Sequence, residues 1–74
     1  MYRVGDLVVW QYGEGAEEFG VIEQIYAAIE GDLQPVRTWK TYEDQASVVF
    51  PGWKGYVFLS DCLTYDEWRD ENNI

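Results

Sequence analysis

Histidine is absent from the 74 residues, cysteine occurs once, proline twice, and Lys plus Arg total only five. Each scarcity removes a class of chemistry. Without His the chain lacks the commonest general base and transition-metal ligand. A single thiol, Cys62, can build neither a disulfide framework nor the Cys/His set of a zinc site. A cysteine nucleophile needs a neighbouring base to form thiolate, so Cys62, set between Leu59 and Leu63, reads as a buried structural residue. No apolar run approaches the roughly 20 residues that cross a bilayer. No basic start leads into an apolar stretch, so no signal peptide is visible and a cytoplasmic setting is expected. A Walker loop, a nucleophile elbow and a kinase signature are missing. Gly13-x-Gly15 is too short and too acidic for a phosphate cradle. The Asp-x-Asp-x-Asp-Gly calcium spacing does not occur. Paired carboxylates can run glycoside hydrolysis, but so short a chain offers little room for a sugar cleft. The expectation is a non-enzymatic protein with no catalytic residue, no metal and no cofactor.

What the chain has instead is rings and carboxylates. Four Trp, six Tyr and three Phe stand beside fourteen Asp or Glu, and the formal net charge is −9. The charge is unevenly spread: residues 1–32 carry −6, residues 33–60 carry +1 and residues 61–74 carry −4. DNA and anionic membranes are bound mainly through Lys and Arg, so neither is an expected partner. A basic protein surface would be attracted and steered in. Arg37, Lys40 and Lys54 among Trp39, Tyr42 and Trp53 form the one stretch that could stack nucleic-acid bases, and its charge is feeble for that purpose.

The length fits one domain, residues 1–74. Leu7–Tyr12 is rich in β-branched and aromatic residues and reads as a first strand. Gly13–Glu18 is expected as an acidic loop, Phe19–Tyr26 as a second strand, Glu30-Gly31-Asp32 as a turn and Val36–Tyr42 as a third strand. Glu43–Ala46 reads as a loop or one helical turn, and Ser47–Phe50 as a fourth strand. Phe50-Pro51-Gly52-Trp53 matches a type II turn, which makes Tyr56–Leu59 the return strand of a hairpin. Ser60–Leu63 fits a short 3₁₀ turn. Thr64 and Glu67 fit a capping box opening a helix over Tyr65–Glu71, anchored by Trp68 and carrying Asp66/Asp70 and Glu67/Glu71 as solvated pairs. The predicted fold class is mainly β: one small SH3-like barrel of about five antiparallel strands with a short C-terminal helix, since closure removes exposed edges. Val8, Trp10, Val21, Ile22, Ile25, Val48, Phe50, Val57, Leu59 and Leu63 are the expected core.

The opening Val4-Gly5-Asp6-Leu7-Val8-Val9-Trp10, followed by Gly20-Val21-Ile22-Glu23-Gln24-Ile25, resembles the start of SH3-like and Tudor-like small barrels. Within that group it is most similar to the RNA-polymerase-interacting domain of CarD-type transcription regulators. The resemblance covers the first 26 residues and implies a small barrel. The acidic second loop, the aromatic middle and the lack of a following helical DNA-binding domain depart from that family.

More rings exist than a core of this size needs. Tyr12, Trp39, Tyr42, Trp53 and Tyr56 are therefore expected in an outer patch, flanked by Glu14, Glu17, Glu18, Glu43 and Asp44. Tyr and Trp are the residues of interface hot spots, and rings beside carboxylates attract Arg or ammonium groups. The expected function is a protein-binding module recognising a basic surface, with a nucleic-acid-binding protein as partner. Its sharper form is a phage- or mobile-element-encoded inhibitor whose carboxylates imitate DNA phosphates. The alternatives are an aromatic pocket for a flat or cationic small molecule, for which a homodimer would supply volume, and a transcription-associated domain that binds RNA polymerase.

Overall fold

The Gly5-Asp6 turn sets the first ladder. Asp6 accepts the Arg3 backbone N–H at 3.0 Å through its side chain, and Gly5, at φ +96°, donates its N–H to the Ile22 carbonyl at 2.8 Å. The chain then enters a strand at Leu7. In the computed structural model, which describes residues 2–29, 31–36, 38–39 and 44–73, the order is β1 Tyr2–Arg3, β2 Leu7–Gly13, β3 Ala16–Ile29, β4 Asp32–Val36, β5 Thr38–Trp39, β6 Gln45–Phe50 and β7 Trp53–Phe58. A 3₁₀ turn over Leu59–Asp61, strand β8 at Cys62–Thr64 and helix α1 at Tyr65–Asn72 complete it.

The protein is mainly β, and its strands pair antiparallel in a six-stranded sheet. Five strands run in the order β7-β6-β3-β2-β8, β4 pairs with β3, and β1 and β5 form a separate two-stranded ladder. Among the described residues no ladder joins β7 to β8. The expected barrel is thus a curved sheet that stays open, compatible with a small barrel without being closed.

Several boundaries differ from expectation for local reasons. The acidic loop shrinks to the turn Glu14-Gly15, with Gly15 at φ +74°, and Glu17 and Glu18 belong to β3. The third strand falls earlier, at β4, where Pro35 sits opposite Tyr26. Proline is tolerated there because, among the described residues, β4 has only β3 as a neighbour. Within the expected span 36–42, Thr38–Trp39 form β5 against β1, and residues 37 and 40–42 lie outside the described residues. The Pro51-Gly52 hairpin forms as expected, with Gly52 at φ +85° and Phe50 paired to Trp53. The capping box is present in both directions: Glu67 N–H donates to Thr64 Oγ1 at 3.2 Å and Thr64 N–H to Glu67 Oε1 at 3.1 Å. Asn73 ends the helix in the left-handed region at φ 60°.

The core gathers Tyr2, Val8, Ile22, Ile25, Ala46, Val48, Phe50, Val57, Leu59 and Cys62, with Trp10 and Val36 packed against it. A strict two-residue alternation cannot bury both Ile22 and Ile25. The register of β3 against β6 shifts between Ile22 and Gln24, so Ile22 faces Val48, Ile25 faces Ala46, and both point inward. Val21 was expected inside. It lies on the outer face, opposite Leu7 and Val49, and is 43% exposed, because the bulge comes after it rather than before. Leu63, also expected inside, is only half-buried. It pairs with Val9 on the outer face, where Phe19 stands on the other side of Val9. Helix α1 covers this spot, with Trp68 edge-on to Phe19 at 5.0 Å, and Val9 is fully buried there. The sheet is therefore packed on two sides at β2. Tyr2 fastens the N-terminus to the far end of the chain by donating its hydroxyl to the Cys62 carbonyl at 2.6 Å.

Gly20 is required where β3 passes over β6. A Cβ at this position would lie 2.5 Å from Val48 Cγ1 and 2.8 Å from Phe50 Cδ1. Gly20→Ala should therefore cost about 1–3 kcal/mol by overpacking. The check is the urea midpoint, which should fall with an unchanged slope.

Candidate functional site

Four rings meet at one end of the sheet. Trp10 and Tyr12 project from β2, with centroids 4.4 Å apart. Phe50 and Trp53 flank the Pro51-Gly52 turn and stack at 4.4 Å with planes 17° apart. Trp10 joins the pairs, 5.5 Å from Phe50 and 5.8 Å from Trp53. Burial falls off outward: Phe50 is core, Trp10 is half-buried, and Trp53 and Tyr12 are 42% and 52% exposed. The result is a ledge of rings rooted in the interior.

Gly55 makes the ledge possible. Trp53 folds back over it along β7, and a Cβ there would lie 2.6 Å from Trp53 Cζ3. The indole N–H of Trp53 donates to Glu18 Oε1 at 3.1 Å, across from β3. Glu18 is opposite Trp10 in the β2–β3 ladder, so its residue links the rings of β2 to Trp53 on β7. Trp53, held by a stack, a hydrogen bond and a neighbouring backbone, has little rotamer freedom left to lose on binding.

The predicted site residues divide among several places. Tyr12, Trp53 and Glu18 come together at the ledge. Glu14 lies at the exposed tip of the β2–β3 hairpin. Glu17, one residue from Glu18, faces the other side. It accepts Trp68 Nε1–H at 3.0 Å and Gln11 Nε2–H at 3.1 Å, and so pins α1 to the sheet rather than flanking the ledge. Tyr56 was expected in the same patch as Trp53. Alternation along β7 sends it to the opposite face, 71% exposed and 6.0 Å from Tyr26. Asp44 was expected as a surface acid. It is buried, and its carbonyl accepts the Leu59 N–H at 2.9 Å where the 3₁₀ turn begins. Tyr42, Glu43 and the side chain of Trp39 lie outside the described residues. Trp10 and Phe50, expected in the core, also form the root of the ledge. The available signals were the two-residue step from Trp10 to Tyr12 along one strand and the Pro51-Gly52 turn that sets Phe50 opposite Trp53.

Among the shallow concavities elsewhere on the described residues are two lined partly by acids. One of about 400 Å³ is bounded by Gln11, Gly13, Gly15, Glu17, Glu71 and Asn72. The other, about 460 Å³, is bounded by Asp6, Leu7, Thr64, Tyr65, Asp66 and Glu67. Neither includes a ring of the ledge. Among the described residues no group of three or more Cys, Asp or Glu is placed to hold a metal ion. No family model, curated protein or solved structure matches the chain. The functional reading accordingly stands on the surface chemistry itself.

Cys62 can be placed by the same chemistry. Its thiol is buried, donates to the Phe58 carbonyl at 3.7 Å, and is pushed up to about 12, first by burial and then by the adjacent Asp61 charge. The folded state therefore holds this proton where the unfolded chain releases it. The contribution to stability is complete below pH 9 and is lost as pH rises from 9 toward 12. Urea midpoints across that interval should fall more steeply for the natural chain than for Cys62→Ala. Parallel pH profiles of the two would remove the burial argument.

Proposed function

We propose that the protein is a non-enzymatic binding module that recognises a basic protein surface through the Trp10–Tyr12–Phe50–Trp53 ledge and its carboxylates. The observation that carries this reading is the half-exposed Trp53, stacked on Phe50 and hydrogen-bonded to Glu18. An Arg or Lys side chain laid on that indole or on Tyr12 meets ring faces and a carboxylate in one place. A cation–π contact is worth roughly 0.5–2 kcal/mol. The molecule already uses the pairing internally, where Arg69 lies 5.8 Å from the Tyr65 ring centroid. The net charge of −9 supplies long-range attraction toward such a partner.

Surfaces that bind nucleic acid are the basic surfaces best suited to a chain of this charge, because they are built to neutralise phosphates. Blocking one would make the protein an inhibitor that works by imitating DNA. On this reading the acids raise the association rate and the rings hold the complex.

The test is titration of an Arg-rich peptide, followed by the full partner captured from the native host. Trp53→Ala should weaken binding about tenfold, while far-UV circular dichroism shows the sheet intact. An unchanged affinity would remove the ledge from the reading. Charge reversal at Glu14 and Glu18 should slow association at low salt, and the difference from the natural chain should shrink as salt is added. Glu17→Lys serves as the contrast, since its expected effect is to loosen α1.

A further inference from the structure

We propose that β7 is a self-pairing edge, along which two copies of the chain join antiparallel about an axis at Tyr56. Among the described residues β7 pairs only with β6, through six consecutive partners from Gln45–Phe58 to Phe50–Trp53 without a register shift. Its other side is a regular row of backbone donors and acceptors, and such a row is a template for another strand. The remaining edges are guarded. β8 is three residues long and runs straight into α1, β4 carries Pro35 and Asp32, and β1 and β5 are two residues each. β7 contains no proline and no bulge. Its one charge, Lys54, is turned across the sheet face to Glu23 at 3.2 Å, so it does not shield the edge.

Charge decides the occupant. Residues 45–60 contain no Asp or Glu, in a chain where fourteen acids are spread over the rest. Glu23, an exposed acid beside this edge, is matched by Lys54 at 3.2 Å. On the outer face of this edge a basic strand would find Glu23 already matched, and Glu18, which holds Trp53 at the start of β7, lies on the opposite face. A second copy would meet a segment as free of acids as itself. The distant acids of the two copies still repel, but exposed charges beyond about 8 Å are largely screened at physiological salt.

Residues directly opposite in an antiparallel pair share a face. An axis at Tyr56 therefore sets Tyr56 against its counterpart and Phe58 against Lys54 of the other copy, all on the outer face. Tyr56 and Phe58 are 71% and 50% exposed in the single chain, and the pairing gives both a neighbour. It also keeps the Pro51-Gly52 turns clear of each other. A six-residue edge makes a small interface, so the association is weak and concentration-dependent.

Sedimentation velocity over a concentration series, with hydrogen exchange on the same samples, tests this. The weight-average mass should rise with concentration and rise further with added salt. That is the opposite salt response to the binding of a basic partner, so the two readings fail separately. The β7 amides not paired to β6 should exchange more slowly as concentration rises. Phe58→Lys sets ammonium against ammonium at two symmetric positions and should weaken the pairing about tenfold. A monomer at every concentration, association that leaves β7 exchange unchanged, or a folded Phe58→Lys chain that dimerises normally would each overturn the proposal. If Phe58→Lys fails to fold, exchange in the natural chain decides the question alone.

Discussion

The bulge in β3 governs the whole arrangement. This 14-residue strand pairs with β2 through its first half and with β4 through its second, and with β6 across the middle. Its inward residues are Gly20 and Ile22 before the bulge and Ile25 and Ala27 after it. Had the alternation run unbroken, Ile25 would face water and Gln24 the core. Every strand that pairs beyond the bulge would then present the wrong side. One extra residue near Glu23 corrects the parity and bends the strand, which is what such bulges do. The curvature of the sheet follows from this, as does the ability of a short chain to wrap a core of mostly medium-sized side chains.

Two glycines settle where the largest rings go. Gly20 lets Phe50 and Val48 press against the β3 backbone, and Gly55 lets Trp53 lie flat along β7. In both places a ring occupies volume that a side chain would otherwise take. Aromatic packing over glycine partly restores the contacts that a strand loses at a residue without a side chain. It also explains how a small interior accommodates part of so aromatic a composition without swallowing it all. Phe50 finishes inside, Trp10 at the boundary and Trp53 outside, yet they form one stack. Solvent-facing rings fixed in this way are continuous with the core, and a substitution at Trp53 also uncovers Phe50.

What was legible in the sequence was local chemistry. Pro51-Gly52 dictated its turn through two backbone preferences, and Thr64 with Glu67 dictated a helix start through two reciprocal hydrogen bonds. Val8, Ile22, Ile25, Val48, Phe50, Val57 and Leu59 were identifiable as core from apolar pattern alone. The failures were long-range. Nothing near Val21 announces that the bulge follows it, so its outward direction could not be read. Tyr2 gains its place from the Cys62 carbonyl, sixty residues away. Val9 is buried only because α1 folds back over β2. The site was half legible for the same reason. Tyr12 and Trp53 meet, but Tyr56 goes to the other face by alternation, and Asp44 turns inward at the start of the 3₁₀ turn.

The carboxylates are more than a solvating coat. Several accept hydrogens that have few other takers in a chain so poor in other strong acceptors. Glu17 holds the indole of Trp68, Glu18 that of Trp53, Glu67 the first turn of α1, Asp6 the Arg3 amide, and Glu23 both Lys54 and Ser47. Charge-assisted bonds of this kind are stronger than neutral ones and fix the anion in place. An anion already fixed by an indole presents a partner with a field of defined geometry, and ordering it costs nothing further at the moment of binding. A loose acidic surface would attract the same partner from a distance but would lose side-chain freedom on contact. The pairing of Trp with Glu thus links fold to recognition: the bond that seats Trp53 on the sheet is also the bond that orients Glu18.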